Sequence, residues 1–310
     1  FKKNFNGKMK IYKNDNLNKK HQKGVIAIGN FDGLHLGHQK VINEAKKKAR
    51  KNNLPFGIMT FEPVPVMFFN SNIKNHRINS LNQKKLQLKK LKLDFLIIIK
   101  FNKKFSSLTA EQFIMKIINN KTKCRFLYVS KNFKFGYKRQ GNIQILKKYE
   151  KQYDFKSIIT KPFKKNKKVI SSTLIRKKIT LGKITEANEL LNREWRIEGK
   201  VIKGQKRGRK IGFPTCNLKL YDYVIPLLGV YAVKISGPKF SKKGIANIGF
   251  RPTFNGNNLL LETNIFGINK NLYNKEISIS FRRFIRREKK FKDLEHLKKQ
   301  IKIDIKKAKK

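Results

Sequence analysis

The sequence predicts two folds in series, an α/β domain on a doubly wound parallel sheet and then an antiparallel β-barrel with a C-terminal helix. Three observations carry this. Up to about residue 170, short apolar runs alternate with segments of helical period, which implies right-handed crossovers between parallel strands. From about Trp195 the apolar runs are close-set, with turn residues and no helices between them, the texture of a barrel or sandwich. Phe291, Leu294, Leu297, Ile301 and Ile305 then recur at helical spacing, a stripe suited to packing on the barrel. The helix-like segment Lys183–Leu191 marks the join, so the domains are expected over 9–182 and 183–310.

In the first half, strands are expected at Val25–Ile28, Phe56–Phe61, Phe95–Ile99, Phe126–Val129 and Ser157–Thr160, with helices over Lys84–Leu93 and Ala110–Ile118. Val25–Ile28 is wholly apolar and rich in β-branched residues, as a strand buried on both faces requires. Gly29 to Gly37 is turn chemistry, with Gly29, Gly33 and Gly37 able to take positive φ or to admit a ligand close to the backbone. From His38 onward Val41, Ile42 and Ala45 follow helical spacing, completing a strand, glycine loop, helix unit. In the second half the strands are expected at Trp195–Ile202, Val230–Ile235, Gly244–Ile248, Leu259–Ile265 and Glu276–Phe281.

Composition bounds the function classes. A chain of 310 residues, 39% hydrophobic and 11% aromatic, can fill two cores. No apolar run is long enough to cross a bilayer, and the opening FKKNFNGKMKIYKNDN has no apolar core of signal-peptide length, so a cytoplasmic protein is expected. Cys124 and Cys216 lie far apart and lack metal-ligand spacing, which argues against a zinc site or a disulfide framework. The net charge of +56 invites a nucleic-acid reading, but the lysines fall on nearly every polar face instead of in one basic block. A solvated, self-repelling surface follows, with a nonspecific affinity for polyanions that falls steeply with salt.

The stretch GNFDGLHLGHQ aims a helix amino terminus, with its free N–H groups, at whatever lies over the glycine loop. An anion suits that place, and His35 and His38 beside it can donate hydrogen bonds to phosphoryl oxygens as charge moves. Either histidine alone reads as an ordinary loop or cap residue; the pair, with the glycines and the strand before them, favours a phosphate site. ISSTLIR offers Ser171, Ser172 and Thr173 as helix caps or phosphate contacts, and Arg176 as a surface charge or an anion ligand. Together the two stretches suit nucleotidyl transfer. No GxxxxGK[ST] and no GxGxxG is present, which removes support for P-loop and dinucleotide readings.

The second half has its own phosphate-shaped segment, GQKRGRKIGFPTCNL. Gly204, Gly208 and Gly212, interleaved with Lys206, Arg207, Arg209 and Lys210, read as a basic flap over polyphosphate or as a β-hairpin with a basic turn. Thr215 and Asn217 follow Pro214 and present hard oxygen ligands from a rigid turn, of the kind Mg²⁺ accepts while keeping several waters. Glu262, in LLLETNIF, is a carboxylate on an apolar strand in a chain with only 19 acidic residues, either a partnered structural charge or a general base.

These motifs, with GVYAV, ANIGFRPTF, NLYNKEI and IRREKKF in this order, resemble the bacterial bifunctional riboflavin kinase and FAD synthetase family over nearly the whole chain from about Met9. The resemblance implies an HxGH nucleotidyltransferase module that adenylylates FMN and a kinase barrel that phosphorylates riboflavin with ATP and Mg²⁺. Carried onto this sequence, it implies that His35 and His38 contact the ATP phosphates, that Gly29, Asp32, Gly33 and Gly37 shape the pocket, and that Ser171, Thr173 and Arg176 hold the pyrophosphate. In the barrel it implies that Thr215 and Asn217 arrange Mg²⁺ and ATP, that Glu262 takes the riboflavin hydroxyl proton, and that Arg286 lies near flavin and nucleotide. The partners so implied are small molecules, ATP, riboflavin and FMN, with FAD as product.

The chain departs from the family pattern at Val64, Ser130, Asn132, Asn192 and Asn264, and three of these five departures fall in the adenylyltransferase half. Two other readings stand beside the resemblance. A different HxGH enzyme would share the first loop but leave GFPTCNL and ANIGFRPTF unexplained. A non-enzymatic nucleic-acid binder would need aromatics and basic groups interleaved on one face, whereas many aromatics here sit within apolar runs.

Overall fold

The structure, a computed structural model, describes residues 9–13, 17–165, 167–204, 207–253, 256–268 and 270–310. The chain divides into two compact units, one running to Ile73 and resuming over Leu81–Ser171, the other made of Lys74–Ser80 and Ser172–Lys310. The division falls after Ser171, ahead of the 182/183 join expected from the sequence.

The first unit is built on six parallel strands, β1 (Lys10–Lys13), β2 (Val25–Ile28), β3 (Phe56–Glu62), β4 (Phe95–Lys100), β5 (Phe126–Ser130) and β6 (Lys156–Thr160). Their order across the sheet is β1-β4-β3-β2-β5-β6, and every pairing is parallel. Strand periodicity sends alternate residues into two cores. Ile26, Ile28, Met59, Phe95 and Ile97 face one. Val25, Ala27, Ile58, Leu96 and Ile98 face the other, where they meet Ile42, Ala45 and Ala49 of helix α1 (Leu36–Lys51). From β2 the chain steps outward through β3 and β4, then returns to place β5 on the other side of β2. The carboxyl end of β2 is therefore the switch point of the sheet, where open α/β folds bind ligands, and the loop carrying His35 leaves from it.

Helix α1 starts at Leu36, earlier than the His38 start read from spacing, because His35 caps it. The helix expected at Lys84–Leu93 is α2, Leu81–Lys90. The one expected at Ala110–Ile118 runs as an α-helical turn, Ala110–Phe113, continued by a π-helical stretch, Ile114–Thr122. A two-stranded hairpin, β7 (Lys164–Lys165) with β8 (Lys168–Val169), precedes the end of this unit.

The second unit opens with helices α3 (Ser172–Thr180) and α4 (Ile184–Leu191). Six antiparallel strands follow: β9 (Trp195–Lys200), β10 (Cys216–Lys219), β11 (Gly229–Gly237), β12 (Phe240–Thr253), β13 (Gly256–Ile265) and β14 (Glu276–Arg287). Their order is β10-β13-β12-β11-β14-β9, and a bridge between Ile202 and Asn217 nearly closes the ring into a barrel. The inner face carries Trp195, Leu218, Tyr231, Ile248, Leu261 and Phe281, all within 2% exposure or less. The final helix, α5 (Leu294–Lys309), packs Ile301, Ile305 and Ala308 on Val230, Ala232 and Ile245 of the outer face. Phe291 precedes that helix, although it fitted the helical stripe in the sequence. Lys74–Ser80 lies beside Tyr223 through a parallel bridge at Arg77, and the carbonyl of Ile78 accepts the buried indole N–H of Trp195 at 2.8 Å. Among the described residues, no helix is long and apolar enough to cross a membrane.

Candidate active sites

In the first unit the turn after β2 is bent through left-handed backbone at Phe31, Gly33 and Leu34, with φ of 46, 83 and 40°. Such conformations persist only where surrounding contacts enforce them, and they collect at functional turns. The turn delivers His35 to the amino-terminal cap of α1, where its Nδ1 accepts the backbone N–H of His38 at 3.3 Å. A backbone amide can only donate, so Nδ1 of His35 is an acceptor and Nε2 carries the ring proton of the neutral form. The two imidazoles stack with centroids 3.7 Å apart, and Phe31 meets the His38 ring edge-on at 5.2 Å. His35 thus caps α1 while its ring stacks on that of His38.

Glycine is required at position 37 by space. A Cβ there would lie 3.1 Å from the His35 ring and 3.2 Å from the carbonyl oxygen of Ile170. The same closeness brings the chain just ahead of Ser171 against the start of α1. Asp32 is buried in the turn, and the N–H of Gly29 donates to the Met59 carbonyl, tying the end of β2 to β3. Of the residues grouped with this pocket, Ser171 closes the first unit, whereas Thr173 and Arg176 lie on α3 in the second. There the Nε of Arg176 donates to the His76 carbonyl at 2.8 Å. Val64 is buried ahead of the short helix Pro65–Phe69, and Ser130 ends β5.

The barrel holds a cavity of about 670 Å³ between its outer face and α5, with Thr215, Asn217, Glu262, Gly204, Gly208 and Arg286 among its lining. Strand register explains why distant residues meet there. Glu262 on β13 stands directly opposite Asn217 on β10 and directly opposite Asn247 on β12. Side chains of directly opposed residues share a face, so the three form one polar row beside the apolar inner face. Asn217 therefore projects from a strand, not from the turn read in GFPTCNL; Thr215 stands just before it.

The glycine spacing of the basic segment is set by close approach. A Cβ on Gly204 would fall 2.1 Å from Nδ2 of Asn217, and one on Gly208 would fall 2.4 Å from the Phe213 carbonyl and 3.3 Å from Oγ1 of Thr215. Gly212 takes φ of 87° with open space beside it, so its part is the turn itself. Arg207–Lys210 forms a single helical turn in place of a hairpin; the side chain of Arg207 and residues 205–206 lie outside the described residues. Arg209 borders a separate hollow of about 70 Å³ shared with Thr215 and Cys216.

Two features of the cavity decide what its polar groups can do. Oδ1 of Asn217 is buried with no hydrogen-bond partner among the described residues, an acceptor held out of water. Arg286, by contrast, is engaged: Nε and Nη2 donate to both oxygens of Asp304 at 2.7–3.1 Å, and Nη1 to the Arg287 carbonyl. Asn247 and Glu288, which sequence reading missed, meet in the same cavity, with Nδ2 of Asn247 donating to Glu288 at 3.1 Å. Burial pushes the thiols of Cys124 and Cys216 up to about 12, so neither is a nucleophile at neutral pH. Among the described residues no group of three or more His, Cys, Asp or Glu side chains could hold a metal ion.

An imidazole pair at the switch point of a parallel sheet, followed by a barrel with a polar row beside a cavity, defines a two-site protein of nucleotide chemistry. The family profile described as FAD synthetase matches residues 17–174, and that described as riboflavin kinase matches residues 191–310. The chain is 43% identical to a bifunctional riboflavin kinase/FMN adenylyltransferase of Buchnera aphidicola subsp. Schizaphis graminum, over 95% of this chain and 96% of that one. It is 36% identical to the protein of that description from Escherichia coli K12, over 93% of each. A crystal structure described as a macrolide-efflux protein from Streptococcus pneumoniae superposes with a TM-score of 0.85 at 30% identity, covering 96% of this chain and 98% of that one. The chain belongs to the bifunctional riboflavin kinase/FMN adenylyltransferase family.

Proposed function

We propose that the chain makes FAD in two steps at two sites, phosphorylating riboflavin to FMN in the barrel and adenylylating FMN in the first unit. The observation that carries this reading is the row Asn217–Glu262–Asn247 beside a cavity large enough for a flavin, in a chain whose other unit presents stacked histidines at a helix amino terminus.

In the barrel, Glu262 accepts the proton of the riboflavin 5′-hydroxyl as its oxygen attacks the γ-phosphorus of ATP and ADP departs. The residues present fit Mg²⁺: the buried, unpartnered Oδ1 of Asn217 and the Thr215 hydroxyl are hard oxygens that would hold it. When bound, Mg²⁺ supplies neutralisation of phosphate charge. Gly204 and Gly208 let the backbone of the basic segment lie close over Asn217 and Thr215, with Arg207 and Arg209 adding positive charge and Gly212 the turn. Phosphoryl transfer depends chiefly on such positioning and charge stabilisation.

In the first unit an FMN phosphate oxygen attacks the α-phosphorus of ATP and pyrophosphate leaves. Nε2–H of His35 and the ring of His38 stabilise the charge that builds on the phosphoryl oxygens, within a pocket shaped by Gly29, Asp32, Gly33, Gly37 and Ser171. Thr173 and Arg176 lie on α3 in the second unit. The setting for both steps is the cytoplasm, where ATP and riboflavin are available.

Two substitutions test the division of labour. Incubation with riboflavin, ATP and Mg²⁺ followed by chromatography should show FMN without FAD for His38→Ala, with FMN formation within about twofold of the parent. Glu262→Gln should lose FMN formation by a factor of about 100 or more, as expected for a general base, and still convert supplied FMN to FAD. Loss of both products in either folded variant would refute the two-site reading.

A further inference from the structure

We infer that Lys84 is a positioning residue of the adenylyl-transfer site: its buried ammonium locks the turn that carries His35 and His38. The inference deepens the function proposed for the first unit and rests on it. Lys84 lies on α2, is 1% exposed, and donates from Nζ to the backbone carbonyl of Asn30 at 2.7 Å. The same Nζ stands 3.3 Å from Oγ1 of Thr60 on β3, and that hydroxyl donates to the same Asn30 carbonyl at 3.1 Å. One carbonyl oxygen thus gathers a helix, a central strand and the turn leaving β2.

The place of that carbonyl gives the arrangement its meaning. Asn30 is the second residue after β2 and stands immediately before the left-handed stretch at Phe31, Gly33 and Leu34 that ends at the His35 cap. Strained turns persist only where neighbours hold them. A fully buried ammonium is an expensive way to hold anything, since desolvation opposes the charge, and an apolar side chain of like length would fill the space more cheaply. The charge is therefore explained by what it fixes. It binds the turn's backbone directly, close to where phosphate charge is to be received.

The test uses the full chain, with its own kinase step as the internal control of folding. Lys84→Met keeps the length and removes the charge together with the contacts to Asn30 and Thr60; Thr60→Val keeps the charge and removes the hydroxyl. Lys84→Met should lower kcat for FAD formation from supplied FMN by at least thirtyfold while FMN formation from riboflavin stays within twofold and the thermal transition of the first unit stays at or above the parent's. Thr60→Val should lower kcat by about threefold to tenfold, with KM for FMN unchanged in both. Retention of FAD formation within threefold by Lys84→Met overturns the inference, as does a loss that tracks a lowered thermal transition, which marks a purely structural lysine. His38→Ala in parallel separates the cases: if it too retains FAD formation, the site assignment has failed and not the role of Lys84.

Discussion

Replacing Arg286 by methionine separates two roles this arginine could have. In the structure its guanidinium makes three hydrogen bonds of 2.7–3.1 Å to Asp304, whose side chain is 1% exposed. Removing the cation strands a buried carboxylate, a change that costs about 3–5 kcal/mol in comparable buried pairs. Gln300 still donates to Asp304 at 2.9 Å, so the lower end applies, about 3 kcal/mol. For a domain of this size that corresponds to a fall of roughly 6–12 °C in the midpoint of thermal unfolding. Trp195 is the only tryptophan and packs inside the barrel against Phe281, so its fluorescence reports the second unit alone. The double variant Arg286→Met/Asp304→Leu removes both charges and should return to within about 1 kcal/mol of the parent. The reasoning is refuted if Arg286→Met shifts the tryptophan transition by less than about 2 °C, or if the double variant is no more stable than the single one. Kinase activity of the double variant then reads the second role: activity restored with stability marks a clamp for α5, and activity lost despite restored stability marks contact with substrate.

Two further outcomes follow from the site and the core. Gly204→Ala places a methyl group 2.1 Å from Nδ2 of Asn217, so the carboxamide must move; FMN formation should drop at least tenfold while FAD formation from supplied FMN is unchanged, both measured by chromatography. His21 is buried, stacks on Phe95 and bonds to the Tyr12 hydroxyl, and burial, then Lys20 and Lys10, lower its pKa below 6.5. The unfolded chain therefore binds the proton more readily, and stability of the first unit should fall as pH drops from 6.5 toward the depressed folded value, then level off. Urea midpoints followed by circular dichroism should show that slope in the parent and not in His21→Leu.

What was legible in the sequence was what neighbouring residues decide. Val25–Ile28 and Phe95–Ile99 could be read as central strands because each position is apolar and both faces are buried. β1 escaped because an edge strand needs only one buried residue, and in KIYK that residue is Tyr12 among lysines and an exposed isoleucine. β10 escaped because its face toward the cavity carries Asn217, which in CNLK after proline looks like turn chemistry until β13 is laid beside it. The row through Glu262 is a matter of register between segments far apart in the chain, and no local pattern encodes it. Lys84 was hidden by company, one of 75 lysines and arginines, and only its place on the inward face of α2 sets it apart. Arg286 illustrates the reverse: its motif was readable, but the acid that holds it, Asp304, comes from the terminal helix.

The excursion of Lys74–Ser80 bears on how this gene can be taken apart. Those seven residues are encoded within the first half yet complete the second unit, giving Trp195 its carbonyl acceptor at Ile78 and meeting Asp222 and Val224 through backbone bonds. No single cleavage of the polypeptide frees a whole barrel unit from a whole sheet unit. Truncation would leave the later fragment with the Trp195 indole donor facing nothing, so a separable barrel needs the Lys74–Ser80 strip rebuilt within it.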